Sequence, residues 1–167
     1  MGTTRENLQA AFAGESQANR HYLFFAEKAD EVGQKQIARL FRAAAEAETV
    51  HAHNHLRVMG DIKSTKENLE AAISGENYEF TEMYPNFIKQ AKSESNQQAE
   101  RSFDLANKVE KIHHSLFQKA VSSLESGEPS GDKPYFVCQF CGYTVEGEAP
   151  ERCPICGAPR SQFKGIE

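Results

Sequence analysis

Two short patterns recur in this chain, and both are built from residue types that ligate metal ions. Asn7-Leu8-Gln9-Ala10-Ala11-Phe12-Ala13-Gly14-Glu15 returns 61 residues on as Asn68-Leu69-Glu70-Ala71-Ala72-Ile73-Ser74-Gly75-Glu76. Glu48-Thr49-Val50-His51 returns 62 residues on as Glu110-Lys111-Ile112-His113. Each half therefore supplies one Glu that follows a Gly, and one Glu-x-x-His. On a helix, residues i and i+3 share a face about one turn apart, so each Glu-x-x-His pair can reach one cation. Four carboxylates and two imidazoles on inward positions carry a large desolvation cost, and no inward Lys or Arg offsets it. Two cations would offset it, and oxygen-rich ligands with one imidazole per ion suit iron or manganese.

One Glu from each of two helices, plus a Glu-x-x-His from each of two others, is the ligand pattern already established for ferritin-like di-metal bundles. Symmetry assigns the roles. Glu48 and Glu110 bridge the metals, while Glu15, Glu76, His51 and His113 are terminal. Glu79 breaks the symmetry: it stands one turn after Glu76, and its counterpart in the first half is Ala18. It is expected to compete with His51 for the ion that Glu15 binds, carboxylate suiting the ferric state and imidazole the ferrous. A lone Glu-x-x-His is common on solvated helix faces; equivalent placement in an internal repeat sets these two apart. His21, His53, His55 and His114 read as surface or supporting residues. Tyr22 and Tyr84 read as inward aromatics whose hydroxyls need a partner.

The four cysteines, Cys138-x-x-Cys141 and Cys153-x-x-Cys156, all lie near the C-terminal end, with none left over. Two such knuckles read as a tetrathiolate metal site in a reducing compartment. Gly142 and Gly157 follow the second Cys of each knuckle, where a residue without a side chain allows the tight turn. The pattern does not choose the metal. Zinc would be a structural staple for a segment too short to bury much core; iron would be a one-electron carrier.

These residues need helices to position them. Thr3-x-x-Glu6 and Ser64-x-x-Glu67 are capping boxes at the start of each half. The first predicted helix carries Leu8, Ala11, Phe12, Glu15, Ala18, Tyr22, Phe25 and Ala29 inward and stops near Gly33. The second carries Ile37, Leu40, Phe41, Ala44, Glu48, His51 and His55 and ends at Gly60-Asp61. The third carries Leu69, Ala72, Ile73, Glu76, Glu79, Phe80, Met83 and Phe87, with a kink at Pro85. The fourth runs from about Asn96 to Leu124, with Phe103, Ala106, Glu110, His113 and Phe117 inward. The fold class is thus an all-α four-helix bundle over residues 1–126. A Gly/Pro/Ser-rich linker over 127–134 leads to a small β-rich metal domain over 135–167.

A net charge of -5 and pI near 5.7 leave no electrostatic footprint for nucleic acid. No apolar run approaches the roughly 20 residues of a membrane helix. Met1 to Ala10 is polar and lacks the core of a secretory signal, so a cytoplasmic location is expected.

Taken together, Ala13-Gly14-Glu15-Ser16-Gln17-Ala18, Glu48-x-x-His51, Gly75-Glu76-x-x-Glu79-x-x-Glu82-Met83-Tyr84-Pro85, Glu110-x-x-His113, Cys138-Gln139-Phe140-Cys141-Gly142-Tyr143 and Cys153-Pro154-Ile155-Cys156-Gly157 resemble the motifs of the rubrerythrins. The order matches too, a ferritin-like bundle followed by a rubredoxin-like domain. The resemblance implies a peroxidase that reduces hydrogen peroxide. Two iron ions would sit on Glu15, Glu48, His51, Glu76, Glu79, Glu110 and His113, and a third on Cys138, Cys141, Cys153 and Cys156. Electrons would come from NAD(P)H through a separate reductase or rubredoxin. The resemblance also implies a homodimer or higher homo-oligomer associating head to tail, with the Cys₄ iron of one subunit near the di-iron site of another. The long bundle and the linker do not of themselves bring the two sites of one chain together. Rival readings are a ferroxidase, which would need no delivered electrons, an electron carrier, and a peroxide sensor.

Overall fold

The computed structural model describes residues 2–127 and 132–166, so residues 128–131 of the predicted linker lie outside the described residues. Two compact units follow one another in sequence, Met1–Lys63 and Ser64–Glu167.

The first unit is a helical hairpin. α1 (Thr4–Glu31) starts at a complete capping box: Thr3 Oγ1 accepts from the Glu6 N–H (3.2 Å), and the Glu6 carboxylate accepts from the Thr3 N–H (2.6 Å). Gly33 turns the chain with φ 74°, a backbone region that costs most residues energy. α2 (Lys35–Met59) runs back and ends at Gly60, φ 72°. The hairpin closes on small side chains, with Ala26, Ala29 and Ala38 buried and Phe41 packed over them. Arg5 ties the open end: it donates to the Met59 carbonyl at 3.0 Å and pairs with Asp61 at 2.9 Å. Phe25, Ile37 and Leu40, predicted inward, are exposed instead. A two-helix hairpin covers only the stripe between its helices; Phe25 packs on Phe41 at the margin of that stripe, and all three keep open surface.

The second unit opens with α3 (Thr65–Tyr78), capped by Ser64 and Glu67 as the sequence predicts. α3 passes through a π-helical turn, Glu79–Met83, into α4 (Tyr84–Ser93). The predicted interruption at Pro85 is therefore this turn. Pro85 sits in the first turn of α4, directly after this wider turn. Within the turn the Thr81 hydroxyl donates to the Asn77 carbonyl at 2.6 Å. The Tyr84 N–H reaches back five residues to the Glu79 carbonyl. Phe87, another residue predicted inward, is exposed. α5 (Gln97–Ser126) is capped by the Asn96 side chain and ends at Gly127.

The C-terminal segment forms a three-stranded antiparallel sheet in the order β2-β1-β3, from β1 (Tyr135–Cys138), β2 (Thr144–Glu146) and β3 (Phe163–Ile166). Phe136 faces Val145 and Gly165 across the two ladders, and Cys138 pairs with Phe163. This sheet packs on α5 of the same chain. Gly142 lies where an added Cβ would stand 3.6 Å from Val109 Cγ1, and Val109 is 2% exposed. Lys119 pairs with Glu146, and the Arg101 guanidinium sits 5.9 Å from the Phe140 ring centre. Among the described residues, no helix is long and apolar enough to cross a membrane.

Candidate metal centres

Each unit brings one Glu and one Glu-x-x-His together. In the first, α1 supplies Glu15 and α2 supplies Glu48 and His51; His51 Nδ1 lies 2.9 Å from Glu48 Oε2 and 3.9 Å from Glu15 Oε1. In the second, α3 supplies Glu76 and α5 supplies Glu110 and His113; His113 Nδ1 lies 2.7 Å from Glu110 Oε2 and 4.0 Å from Glu76 Oε1. The two triads repeat one geometry, and within each the donor atoms all fall within 4.8 Å of one another. Metal–ligand bonds of about 2.0–2.2 Å put two donors of one ion at most roughly 4.4 Å apart, so the measured His–Glu separations fit a shared cation.

The ligands are less enclosed than the sequence implies. Glu48, Glu76, Glu110 and His113 are half-buried, Glu15 is more open, and the His51 side chain is 54% exposed. The electrostatics of the second triad still register crowding. Burial, then the neighbouring Glu110 carboxylate, pushes Glu76 up to about 7. Burial, then Glu110, also raises Glu79. The hydrogen bond to Glu110 raises His113 against the opposing effect of burial, and the Gly142 carbonyl adds to the rise.

Glu79 stands apart from the triad's donor atoms but within electrostatic reach of Glu110 and His113. Burial, then the charges of Glu110, Glu79 and Glu76, raises Tyr84. Tyr84 also packs with Phe87 and Phe103, at 6.3 Å from Phe103, with Phe87 and Phe103 5.5 Å apart. In the first unit Tyr22, Phe25 and Phe41 repeat this cluster, at 6.1 Å and 5.5 Å.

The four cysteines converge as predicted. Cys138 Sγ lies 3.7 Å from Cys156 Sγ, and Cys141 Sγ 3.5 Å from Cys153 Sγ. Bonds of about 2.3 Å in a tetrahedron put sulfurs roughly 3.8 Å apart, so the pocket has the size of one ion. The two knuckles are alike: Gly142 N–H returns to the Cys138 carbonyl (2.8 Å) and Gly157 N–H to the Cys153 carbonyl (2.9 Å), with φ 84° and 78°.

The knuckle also meets the helical triad inside one chain. His113 Nε2 lies 3.0 Å from Thr144 Oγ1, three residues past Cys141. The long bundle and the linker give no sign of such a contact; packing of the sheet on α5 makes it for this triad. A cavity of about 530 Å³ opens beside this contact, lined by Glu76, His113, Leu116, Phe117, Tyr135 and Thr144 among others.

Profile comparison matches residues 6–121 to the family described as Rubrerythrin and residues 136–164 to the rubredoxin-like domain of rubrerythrin. The chain belongs to the rubrerythrin family. Rubrerythrin-2 of Clostridium acetobutylicum is 35% identical across 98% of this chain and 96% of its own length. Nigerythrin of Nitratidesulfovibrio vulgaris is 37% identical across 98% of this chain and 86% of its own. Among solved structures, the fully reduced, all-ferrous state of nigerythrin superposes with a TM-score of 0.60 at 35% identity, covering 99% of this chain and 88% of that one. The rubrerythrin fold accounts for the helical chain with its small C-terminal sheet and cysteine cluster. The carboxylate–histidine and tetracysteine donor sets are those of an iron-binding protein of this family.

Thr144 and the π-turn are features that reading by motif did not single out. The π-turn had a signal. The repeat offset is 61 from Glu15 to Glu76 but 62 from Tyr22 to Tyr84. One extra residue has therefore entered the second half between Glu76 and Tyr84. A π-turn is a one-residue insertion in a helix, and Glu79–Met83 occupies that interval.

Proposed function

We propose that this chain is a non-haem di-iron peroxidase that reduces hydrogen peroxide to two waters, consuming two electrons and two protons. Glu15, Glu48, His51, Glu76, Glu79, Glu110 and His113 would hold two irons, and Cys138, Cys141, Cys153 and Cys156 a third. When bound, the two irons would supply Lewis acidity and the electron pair for O–O cleavage, and an iron at the cysteines would supply one-electron redox chemistry. Nigerythrin, solved in all-ferrous and partially reduced states, supports iron that changes oxidation state in this fold. The observation that carries the reading is the contact between Thr144 of the cysteine knuckle and His113 of the carboxylate triad. An electron carrier set against a carboxylate site suits delivered electrons, which iron storage does not need.

The chain's own groups handle the protons. Without metal, burial and Glu110 keep Glu76 protonated up to about pH 7, and a bound cation would displace that proton; Glu79, raised in the same direction but outside the triad donors, is the carboxylate left to move protons. His113 Nδ1 faces Glu110 Oε2 and Glu76 Oε1, the side on which a cation would sit. NAD(P)H feeds the chain through a separate reductase or rubredoxin, the protein works as a homo-oligomer, and the reducing cytoplasm keeps its thiols free.

Anaerobic stopped-flow on the fully reduced protein, following the visible band of the cysteine iron, tests this. Peroxide should restore the band much faster than dioxygen. Equal or faster recovery with dioxygen would move an oxidase or ferroxidase reading ahead. Absence of the band in protein purified with its native metals would mean zinc at the cysteines and would break the electron route.

A further inference from the structure

The His113–Thr144 contact has a direction. The Thr144 hydroxyl donates to the Gly142 carbonyl at 3.0 Å. A carbonyl can only accept, and a hydroxyl has one proton. Toward His113 Nε2, 3.0 Å away, Thr144 Oγ1 therefore presents a lone pair. An imidazole that gives its Nδ1 lone pair to a cation carries its hydrogen on Nε2, and here Nδ1 is the nitrogen turned to Glu110 Oε2 at 2.7 Å and Glu76 Oε1 at 4.0 Å.

We propose that Thr144 is a positioning residue: its hydroxyl, anchored on Gly142, holds His113 with Nε2 protonated and Nδ1 aimed at the carboxylates. A ligating imidazole whose second nitrogen is held by a fixed acceptor keeps one tautomer and one ring orientation. Here the acceptor comes from the cysteine knuckle of the same chain, so folding of the small metal domain also sets the aim of a helical ligand. The equivalent His51 is built differently. Its Nδ1 meets Glu48, but among the described residues its Nε2 has no partner, and its side chain is twice as exposed as that of His113 (54% against 27%). The device thus belongs to one half of the repeat, the half that carries the knuckle.

The proposal rests on the reading that the triad binds cations, and its test separates the two. Full-length protein is loaded with zinc, which keeps both sites diamagnetic, and the His113 ring is followed by proton–nitrogen NMR in wild type, Thr144→Val and Thr144→Ser. In wild type a protected Nε2 proton should be visible. Thr144→Val keeps the side-chain shape and removes the acceptor. It should lose that protection and bind zinc at the helical site roughly 10–100-fold more weakly, while the cysteine site is unchanged. Thr144→Ser should restore both. If Thr144→Val leaves the ring signals and the zinc affinity as in wild type, the Gly142 carbonyl alone holds the ring and the proposal fails. If wild type binds zinc only at the cysteines, the cation reading of the triad fails, and Nε2 protection alone decides the role of Thr144.

Discussion

Glu110 and His113, one turn apart on α5, meet at 2.7 Å, and Glu48 and His51 on α2 meet at 2.9 Å. The same side-chain pair is thus formed twice from the same three-residue spacing. The pairs differ in what stands behind each histidine and in exposure, 54% for His51 against 27% for His113. That likeness, and its departures, frame what the protein should do when perturbed.

The metal-free protein should lose stability as pH rises from about 4.5 to about 7. Glu76 is raised from 4.5 to about 7, so in that window the folded state holds more protons than the unfolded chain. His113, raised from 6.5, adds in the same sense at higher pH. Glu6 and Glu146 are lowered and act with opposite sign, but only below their ordinary range. Thermal unfolding followed by circular dichroism from pH 5 to 8 should show a falling midpoint. Ferrous iron should remove the trend, because a bound cation replaces the proton. A midpoint that climbs over that range without metal would contradict it.

Glu79→Ala should leave two cations at the helical ligands and change the reoxidation step. Glu79 opens the π-turn and is not among the triad donors, yet Glu110 and His113 act on it. Loss of a proton-moving carboxylate should slow peroxide turnover by about 10²-fold. Metal analysis beside single-turnover kinetics checks both halves; unaltered reoxidation would remove Glu79 from the mechanism.

Cys138→Ser should release one metal of three and unfold the sheet while sparing the helices. Cys138 is 1% exposed, and it joins β1 to the first knuckle. A segment this short relies on its ion for folding free energy. Elemental analysis should fall by one ion per chain, with the helical dichroism signal retained. Full metal content would place the ion elsewhere.

Ser64→Ala should cost about 1 kcal/mol and lower the unfolding midpoint by roughly 2–4 °C. The Ser64 hydroxyl accepts from the Glu67 N–H at 3.3 Å, and this bond is lost while the donor remains. Glycine at position 64 should cost only a few tenths of a kcal/mol, so a scan of the two variants separates capping from the mere loss of a side chain.

Much of this was legible in sequence because it is local. Capping boxes, Gly33 and Gly60 at helix ends, the i,i+3 pairing of Glu with His, and the Cys-x-x-Cys-Gly turns all depend on residues a few positions apart, whose geometry the backbone dictates. The two copies of each motif made these readings secure, and the step in repeat offset from 61 to 62 even marked the π-turn. Exposure was not legible. The same apolar spacing put Phe41 over the buried alanines and left Leu40 67% exposed, because periodicity names a face without saying what covers it.

What the sequence by itself determined was the grouping: which carboxylates, imidazoles and thiols come together, in what sets, and on which elements. Only the tertiary structure decided that the cysteine knuckle rests on α5 of its own chain. It also decided that Thr144 is the residue that reaches His113, 31 positions earlier. The reason is physical. A hydrogen bond across such a separation is set by how a small sheet docks, through Val109 under Gly142 and Lys119 beside Glu146, and no short-range pattern in the chain encodes that docking.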